Sequence, residues 1–495
     1  MVLGRLMIWL KKLAILSHRW TGAAFCVLFS WWFISGVFIM YCDYPEVTRA
    51  DRLARAEALD ASRIRLSARE AWAHLQTAGA PDSVRLEMFD GRPAYWFRLG
   101  RQPVAVYADN GQTQRDFPAD LNLRTAAAFS GEAGRMATAE AVTQPDQWTV
   151  GGIYRRGARL TKYSWPDGRQ AYVSGATGEV VQYTTTATRL GAWLGPIPHW
   201  LYFTPLRRNG PLWSKIVIWL SGAATLVAIL GLIAGVTMYS PSKRYRFAGL
   251  PTSNPYAGTK RLHMTLGLFF GLLACTWAFS GMLSMNPFGP DDTDSGSEFP
   301  QMLSGEPFAF EAFDAKDPRD ALRQIGSFEV KVIEFQSLGG RAFYLATRDE
   351  KSSRVIPMKG EAGSEIDHSW LLDSITTASQ PNGILAADLI TAYDAYYLDR
   401  HHDLPLPALR VHLNDEERSV FYIDPRSGRV VGGYDNWQWM ERWAYHGLHS
   451  INFPWLYNNR PAWDIVVLML MLGGAALSVT SLVIGAQFLR RKLSG

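Results

Sequence analysis

Residues 14–41, AILSHRWTGAAFCVLFSWWFISGVFIMY, determine how the rest of the chain is organised. The apolar stretch begins at Leu13, directly after Lys11 and Lys12, and it exceeds a bilayer crossing, which takes about 20 apolar residues. It has no small-residue cleavage site after a short apolar core, so we expect a retained anchor. One ionisable ring, His18, lies inside its leading edge. A histidine in hydrocarbon is costly unless it has a function, so His18 is a candidate functional residue.

Three further stretches have the same character. The chain is 48% hydrophobic, yet its mean hydropathy is only −0.07, so the apolar residues must be concentrated in segments. The predicted transmembrane helices cover 13–41, 213–239, 262–288 and 464–489, and their interiors contain no acidic residue. We therefore expect a membrane protein with four transmembrane α-helices.

Basic residues at the ends of these stretches predict the topology. The net charge of +5 would also suit a nucleic-acid partner, but it is concentrated in three short clusters beside the predicted spans. These clusters are Lys11 and Lys12; Lys243, Arg244, Arg246, Lys260 and Arg261; and Arg490, Arg491 and Lys492. By the positive-inside rule all three are cytoplasmic, as are the loop 240–261 and both termini. The long connections, 42–205 and 289–455, then lie together on the opposite side.

The two halves of the sequence resemble each other. When His18 is aligned with His263, an offset of 245 (263 − 18), Ser35-Gly36 falls on Ser280-Gly281 without a gap. At an offset of 250 (449 − 199), His199 falls on His449. Both halves cross the membrane in the same direction, which predicts two parallel internal repeats related by an axis along the membrane normal. Such an axis keeps depth constant, so the sequence predicts one histidine pair near the cytoplasmic face and another near the outer face.

Paired histidines on symmetry-related helices are typical of six-coordinate haem sites. One imidazole nitrogen ligates each face of the iron, and an apolar bundle surrounds the macrocycle. The candidate cofactor ligands are His18 with His263 and His199 with His449. Gly22 and Gly267, one helical turn after the inner histidines, would leave room for a flat ring; close helix packing is the alternative explanation.

Other histidines are weaker candidates. His446, three residues before His449 on a predicted helix over 437–453, would either replace it as ligand or hold a haem propionate, unless it is a plain interface residue. His401 and His402 are a weak candidate for binding a substrate outside the membrane, and solvation at the surface is the simpler interpretation. Zinc would need a tighter cluster of ligands, and no glycine-rich dinucleotide loop follows a strand.

The outer connections show mixed α and β patterns. A short helix is predicted over 66–78, alternating strands over 84–97 and 104–107, and a turn at Asp424-Pro425 in which Gly428 takes positive φ. A second helix is predicted over 385–396, and the segment 289–305 has the composition of a flexible linker.

The motifs His18-Arg-Trp-x-Gly22 and Tyr393-Asp-Ala-Tyr-Tyr-Leu-Asp-Arg400, followed by Tyr422-Ile-Asp-Pro-Arg-Ser-Gly-Arg-Val430, resemble the PepSY-associated transmembrane helix family. The resemblance covers essentially the whole chain and is weakest in the first outer domain. Members of this family include bacterial inner-membrane reductases of ferric siderophores. The resemblance implies α+β PepSY-like periplasmic domains at 42–205 and 289–455, two haem b groups on the four histidines, and periplasmic iron reduction.

The leading hypothesis is therefore transmembrane electron transfer from quinol or a separate cytoplasmic reductase to a ferric siderophore. The outer domains could alternatively be binding or regulatory modules with the helices as anchors. A siderophore transporter built from parallel repeats is a third possibility, for which polar groups at mid-membrane would be expected.

Overall fold

A computed structural model describes residues 2–100, 102–152, 159–288, 298–305 and 307–493. The chain divides into two units. The helical unit comprises Met1–Tyr44, Ala187–Pro290 and Trp437–Gly495, and the sheet unit comprises Pro45–Thr186 and Asp291–Asn436. Each unit is therefore assembled from segments that are distant in sequence.

The helices and strands alternate in a similar order in the two halves of the chain. The α-helices are α1 (Val2–Ile39), α2 (Arg49–Arg55), α3 (Ala68–Ala73), α4 (Ala119–Ser130), α5 (Thr186–Leu194), α6 (Pro196–Trp200), α7 (Thr204–Arg207), α8 (Gly210–Met238), α9 (Gly258–Leu283), α10 (Phe299–Ser304), α11 (Pro318–Gln324), α12 (His368–Ala378), α13 (Asn436–Glu441), α14 (Leu448–Ser450), α15 (Pro454–Tyr457) and α16 (Ala462–Leu493). The strands are β1 (Ser83–Phe89), β2 (Arg92–Leu99), β3 (Gln102–Tyr107), β4 (Thr113–Gln114), β5 (Thr138–Val142), β6 (Leu160–Ser164), β7 (Gln170–Ser174), β8 (Val180–Thr184), β9 (Tyr245–Phe247), β10 (Leu250–Thr252), β11 (Val332–Leu338), β12 (Arg341–Asp349), β13 (Ser352–Pro357), β14 (Ile384–Ile390), β15 (Ala408–Leu413), β16 (Val420–Ile423) and β17 (Val430–Tyr434).

Four helices of the helical unit, α1, α8, α9 and α16, are long and apolar enough to cross a membrane. The chain is therefore a multi-pass membrane protein, with its four spanning helices where the apolar stretches predict them. Helices α1 and α9 each pack against both α8 and α16. As a result, α1 and α9 face each other across the bundle. These two helices carry His18 and His263, which the packing places on opposite sides of the bundle interior.

A seven-stranded antiparallel sheet runs through the sheet unit in the order β13-β12-β11-β1-β2-β3-β4. Strand β1 comes from the first outer segment and β11 from the second, with Leu86 opposite Ile333 and Arg85 opposite Glu334. The outer segments were predicted as separate domains, but here they share one sheet and one core, to which Phe97 and Phe335 both belong. The predicted ranges also end differently, because 187–205 and 437–455 belong to the helical unit.

The helix predicted over 385–396 is wrong. Residues Ile384–Ile390 form strand β14, which pairs antiparallel with β15. Alanine and leucine favour helix locally, but cross-strand hydrogen bonds outweigh that weak preference. The Asp394 carboxylate then accepts hydrogen bonds from the backbone N–H groups of Tyr396 and Tyr397, each at 2.8 Å, which holds the following residues in a turn.

Two further predictions need correction. Residues 289–297 of the predicted linker lie outside the described residues, but Phe299–Ser304 is a helix whose Phe299 side chain is buried and stacks on Phe421 at 4.7 Å. The helix predicted over 437–453 is interrupted by a π-helical turn at Arg442–Gly447 and ends at Ser450, because Ile451 is left-handed. The turn at Gly428, by contrast, has the predicted positive φ of 69°.

Candidate functional site

His18 and His263 meet inside the helical bundle. Their ring centroids are 6.3 Å apart and the ring planes differ by 25°. His18 lies on α1 and His263 on α9, so the contact is made between the two helices that face each other across the bundle. The structure therefore brings together the two histidines that the alignment of the two halves pairs.

Each ring of this inner pair is held through its Nδ1 atom by a neighbouring long helix. Nδ1 of His18 lies 3.1 Å from the backbone oxygen of Val227 on α8. Nδ1 of His263 lies 3.0 Å from the hydroxyl of Thr480 on α16 and 3.4 Å from that of Ser481. Two oxygen partners on different helices thus set the orientation of the two rings.

His199 and His449 form a second pair. Their ring centroids are 6.0 Å apart, with the planes inclined at 71°. Both residues sit on short helices, His199 on α6 and His449 on α14, and prolines 196 and 198 limit α6 to five residues. The predicted outer pair is therefore also brought together, on short helices as the prolines indicate.

The outer rings are likewise fixed through Nδ1. The Nδ1 atom of His199 is 3.2 Å from the Ser35 hydroxyl, and that of His449 is 3.0 Å from the Ser280 hydroxyl. Ser35 and Ser280 occupy matching positions on α1 and α9, 245 positions apart (280 − 35). On α1 the two levels are separated by the 17 residues between His18 and Ser35 (35 − 18), which corresponds to about 25 Å of helix.

Burial keeps both outer rings neutral at physiological pH. It lowers the pKa of His199 to about 4. Burial, with the neighbouring His199 as a smaller cause, lowers the pKa of His449 to about 3. A neutral imidazole has a free lone pair on one nitrogen, which is the form that ligates a metal.

The arrangement of both pairs fits a shared metal ion. In the described part of the chain, no hydrogen bond is made to Nε2 of His18, His263, His199 or His449. Metal-bound histidines generally hold the other ring nitrogen in a hydrogen bond, as these four do at Nδ1. Because an imidazole nitrogen lies about 2 Å from a metal ion that it ligates, two rings on opposite sides of one ion have centroids about 6 Å apart.

A cavity of about 840 Å³ adjoins the inner pair. His18, His263, Gly22 and Gly267 all line it, together with apolar side chains such as Phe33. A Cβ atom on Gly22 would be 3.8 Å from Cε1 of His18, and one on Gly267 would be 3.8 Å from Cδ1 of Leu477. Larger side chains there would project into the cavity, so both glycines help to keep it open for a flat apolar ligand.

Two groups of site residues were not assigned from the sequence. Gly231 packs directly on the His18 ring, because a Cβ there would be 2.6 Å from Cε1. The hydroxyls of Ser35 and Ser280 hold the outer rings, although the sequence match of Ser35-Gly36 with Ser280-Gly281 was the available signal. Small polar and glycine residues in a span are usually explained by helix packing, which concealed these contacts.

The remaining predicted residues are placed apart from the two pairs. His446 is exposed and its ring contacts Tyr445 at 4.6 Å, while His449 faces His199. The wide π-helical turn explains this, since residues three apart no longer share a face as they do in an α-helix. His401 and His402 are exposed on a loop of the sheet unit, where the His402 ring contacts Tyr393 at 5.0 Å. Within the described ranges, no group of three or more His, Cys, Asp or Glu side chains is arranged to hold a metal ion.

The sequence also matches a known family. The model of the family described as PepSY-associated TM region matches residues 16–325 of the chain, which is more than half of it. The chain therefore belongs to this family, as its motifs indicate. No curated protein matches the sequence.

Proposed function

We propose that this member of the PepSY-associated TM family is a di-haem oxidoreductase of the bacterial inner membrane that reduces a ferric siderophore on the periplasmic side. The main observation behind this proposal is the presence of two pairs of facing imidazoles, at 6.3 Å and 6.0 Å, on two levels of one bundle. A binding module whose helices were only anchors would not need histidines paired at both levels.

The haem ligands in this proposal are His18 with His263, and His199 with His449. The fit rests on the pair spacings, the Nδ1 hydrogen bonds and the cavity beside the inner pair. A haem held by two histidines supplies a one-electron redox centre whose potential depends on its ligands and surroundings. The four histidines, oriented by Val227, Thr480, Ser35 and Ser280, would fix the positions of two such centres.

We further propose that the two halves are parallel repeats. The contacts of the histidines follow the two sequence offsets. The backbone of Val227 binds His18 and that of Leu477 binds His263, an offset of 250 (477 − 227). The hydroxyls of Ser35 and Ser280 bind His199 and His449 at an offset of 245. A duplication explains why equivalent contacts recur in both halves.

The direction of transfer follows from the proposed orientation. Basic clusters favour a cytoplasmic position for both termini and for the loop 240–261. The inner pair would then accept electrons from quinol or a separate cytoplasmic reductase, and the outer pair would deliver them to the periplasmic side. Two centres divide a hydrocarbon core of about 30 Å into shorter steps.

The chemistry of the acceptor explains why reduction would release iron. A siderophore holds Fe(III) through hard, anionic oxygen ligands, which bind the less charged Fe(II) more weakly. One electron per ferric ion is sufficient, so a chain of one-electron centres suits this substrate. The PepSY-like sheet unit would provide the surface that faces the chelate.

The test is a visible spectrum of the purified full-length protein, followed by reoxidation with a ferric hydroxamate. We expect two low-spin haems per chain, and a reduced spectrum that is reoxidised when the chelate is added. His18→Leu and His449→Leu should each retain one haem and lose transfer through the chain. A colourless, folded protein would overturn the proposal and favour a binding or transport function.

A further inference from the structure

Three cationic side chains line the same cavity as the inner histidine pair. They are Arg19, Lys260 and Arg491. Arg19 follows His18 directly, and Lys260 precedes His263 by one helical turn on α9. Arg491 lies in the last turns of α16. Each cation is thus close in sequence or in its helix to the end of the bundle nearest the inner pair.

The cavity reaches this end of the bundle. Its lining includes Met238, the last residue of α8, and Tyr256, just before the start of α9. In the opposite direction it extends to Ala274 on α9. The residues between these limits are mainly apolar or glycine, so one end is cationic and the remainder is apolar.

The helical unit offers these cations no side-chain carboxylate. Among its residues the only acidic ones are Asp43, Glu441 and Asp464. Asp43 follows the far end of α1 and Asp464 lies in the first turn of α16, about 40 Å of helix away from Arg491. In the described part of the chain, none of the three cations forms a salt bridge.

We propose that Arg19, Lys260 and Arg491 bind the carboxylates of a porphyrin in the cavity, so that its carboxylate edge points to the end of the bundle where α8 ends and α9 begins. This inference rests on the proposed function and adds the orientation of the inner haem. Haem b carries two carboxylates on one edge, and charge-assisted hydrogen bonds to cations are the strong ones. The three residues are positioning residues for the cofactor.

Anionic lipid headgroups are the competing partner for these cations. Arginine and lysine near helix ends often extend to the membrane interface, where they meet lipid phosphates. Lining an internal cavity with His18 and His263 favours the porphyrin, because a headgroup contact would not require the side chains to border that cavity.

The experiment compares two porphyrins that differ only at the carboxylates. The full-length protein, prepared without haem and placed in lipid nanodiscs, is titrated with iron protoporphyrin IX or with its dimethyl ester. The variants are Arg19→Gln, Lys260→Gln and Arg491→Gln. The matched controls are Lys243→Gln and Arg246→Gln, which remove the same charge from exposed positions of the neighbouring loop outside the cavity lining.

We expect each cavity variant to weaken binding of the free acid roughly ten-fold or more at the inner site. The same variants should leave dimethyl ester binding unchanged, and both controls should leave both affinities unchanged. The midpoint potential of the inner haem should also fall in the variants, because a removed positive charge no longer disfavours the ferric form. Equal effects should be seen in neutral and in anionic nanodiscs.

Different failures have different meanings. If the variants weaken both porphyrins equally, or neither, the assignment of the carboxylates is overturned while the haem proposal stands. An effect confined to anionic nanodiscs would also overturn it, and would assign the cations to lipid. If the unmodified chain binds neither porphyrin, the proposed function itself is wrong.

Discussion

Gly231 lies against the imidazole of His18, although the two residues are on different helices. A Cβ atom added to Gly231 would be 2.6 Å from Cε1 of His18 and 3.1 Å from its Nδ1 atom. The same nitrogen is 3.1 Å from the backbone oxygen of Val227, one turn earlier on α8. The α8 backbone therefore both supports the ring from one side and fixes its rotation.

Gly231→Ala should displace His18 and disturb the inner site. We expect an overpacking cost of about 1–3 kcal/mol in the free energy of unfolding, and loss of the inner haem or its conversion to high spin. Haem content and low-temperature EPR measure this. Gly222→Ala on the same helix is the control, because its Cβ would meet only the flexible Met282 thioether at 3.3 Å. Identical spectra for both variants would contradict the role of Gly231.

Replacing either inner histidine should affect the same haem. His18→Leu and His263→Leu are each expected to remove it or make it high spin, and the double variant should be no worse than the poorer single one. Ligands of one iron act as a unit, so their losses do not add. Haem per protein with EPR on each variant checks this, with the exposed His368→Ala as control. Loss of different haems in the two variants would refute the two-level arrangement.

The serine hydroxyls should orient the outer ligands. Ser280→Ala removes the partner of His449 Nδ1, and Ser35→Ala removes that of His199. Loss of such a partner typically costs 10–100-fold in metal affinity, so we expect faster haem loss and altered EPR g values at the outer site only. Ser30→Ala is the control, since its hydroxyl bonds to the backbone oxygen of Cys26. Unaltered outer spectra in both variants would count against this role.

The sheet unit should be destabilised by acid through Glu334. Burial tends to raise the pKa of this carboxyl, but the guanidiniums of Arg429 and Arg49, each 2.8 Å away, outweigh it and hold the pKa below its ordinary value of 4.5. A depressed carboxyl pKa adds stability above the unfolded pKa, and that stability is lost as pH falls through the folded pKa. We expect about 1–3 kcal/mol to be lost below about pH 4.

Hydrogen exchange of β1 and β11 in the full chain measures that loss, because Glu334 lies on β11 opposite Arg85. Glu334→Gln should lower protection at neutral pH and flatten its dependence on acid. The exposed Glu350→Gln should change neither. An acid dependence that survives in Glu334→Gln would place its origin in other carboxyls.

Reporter fusions test the orientation. The basic clusters predict a cytoplasmic signal for fusions after residue 250 and at the C-terminus, and a periplasmic signal for fusions near 120 and 350. A periplasmic C-terminus would reverse the proposed direction of electron flow. Fusions within the sheet unit should agree with each other, because β1 and β11 pair in one sheet.

The sequence by itself determined the number and position of the spanning helices and the family. A bilayer crossing depends on the composition of about 20 consecutive residues, which can be read locally. It also predicted which histidines would meet, because the match between the two halves relates His18 to His263 and His199 to His449. Their proposed role as haem ligands stays a prediction.

Only the tertiary structure decided what surrounds each ring and how the outer segments combine. The Nδ1 partners lie 164 to 217 positions away from their histidines, and no local pattern relates residues at such distances. Residues Ile384–Ile390 became a strand through pairing with β15, and β1 joined β11 through cross-strand hydrogen bonds. These outcomes depend on contacts between distant segments, whose energies exceed the weak local preferences that a sequence displays.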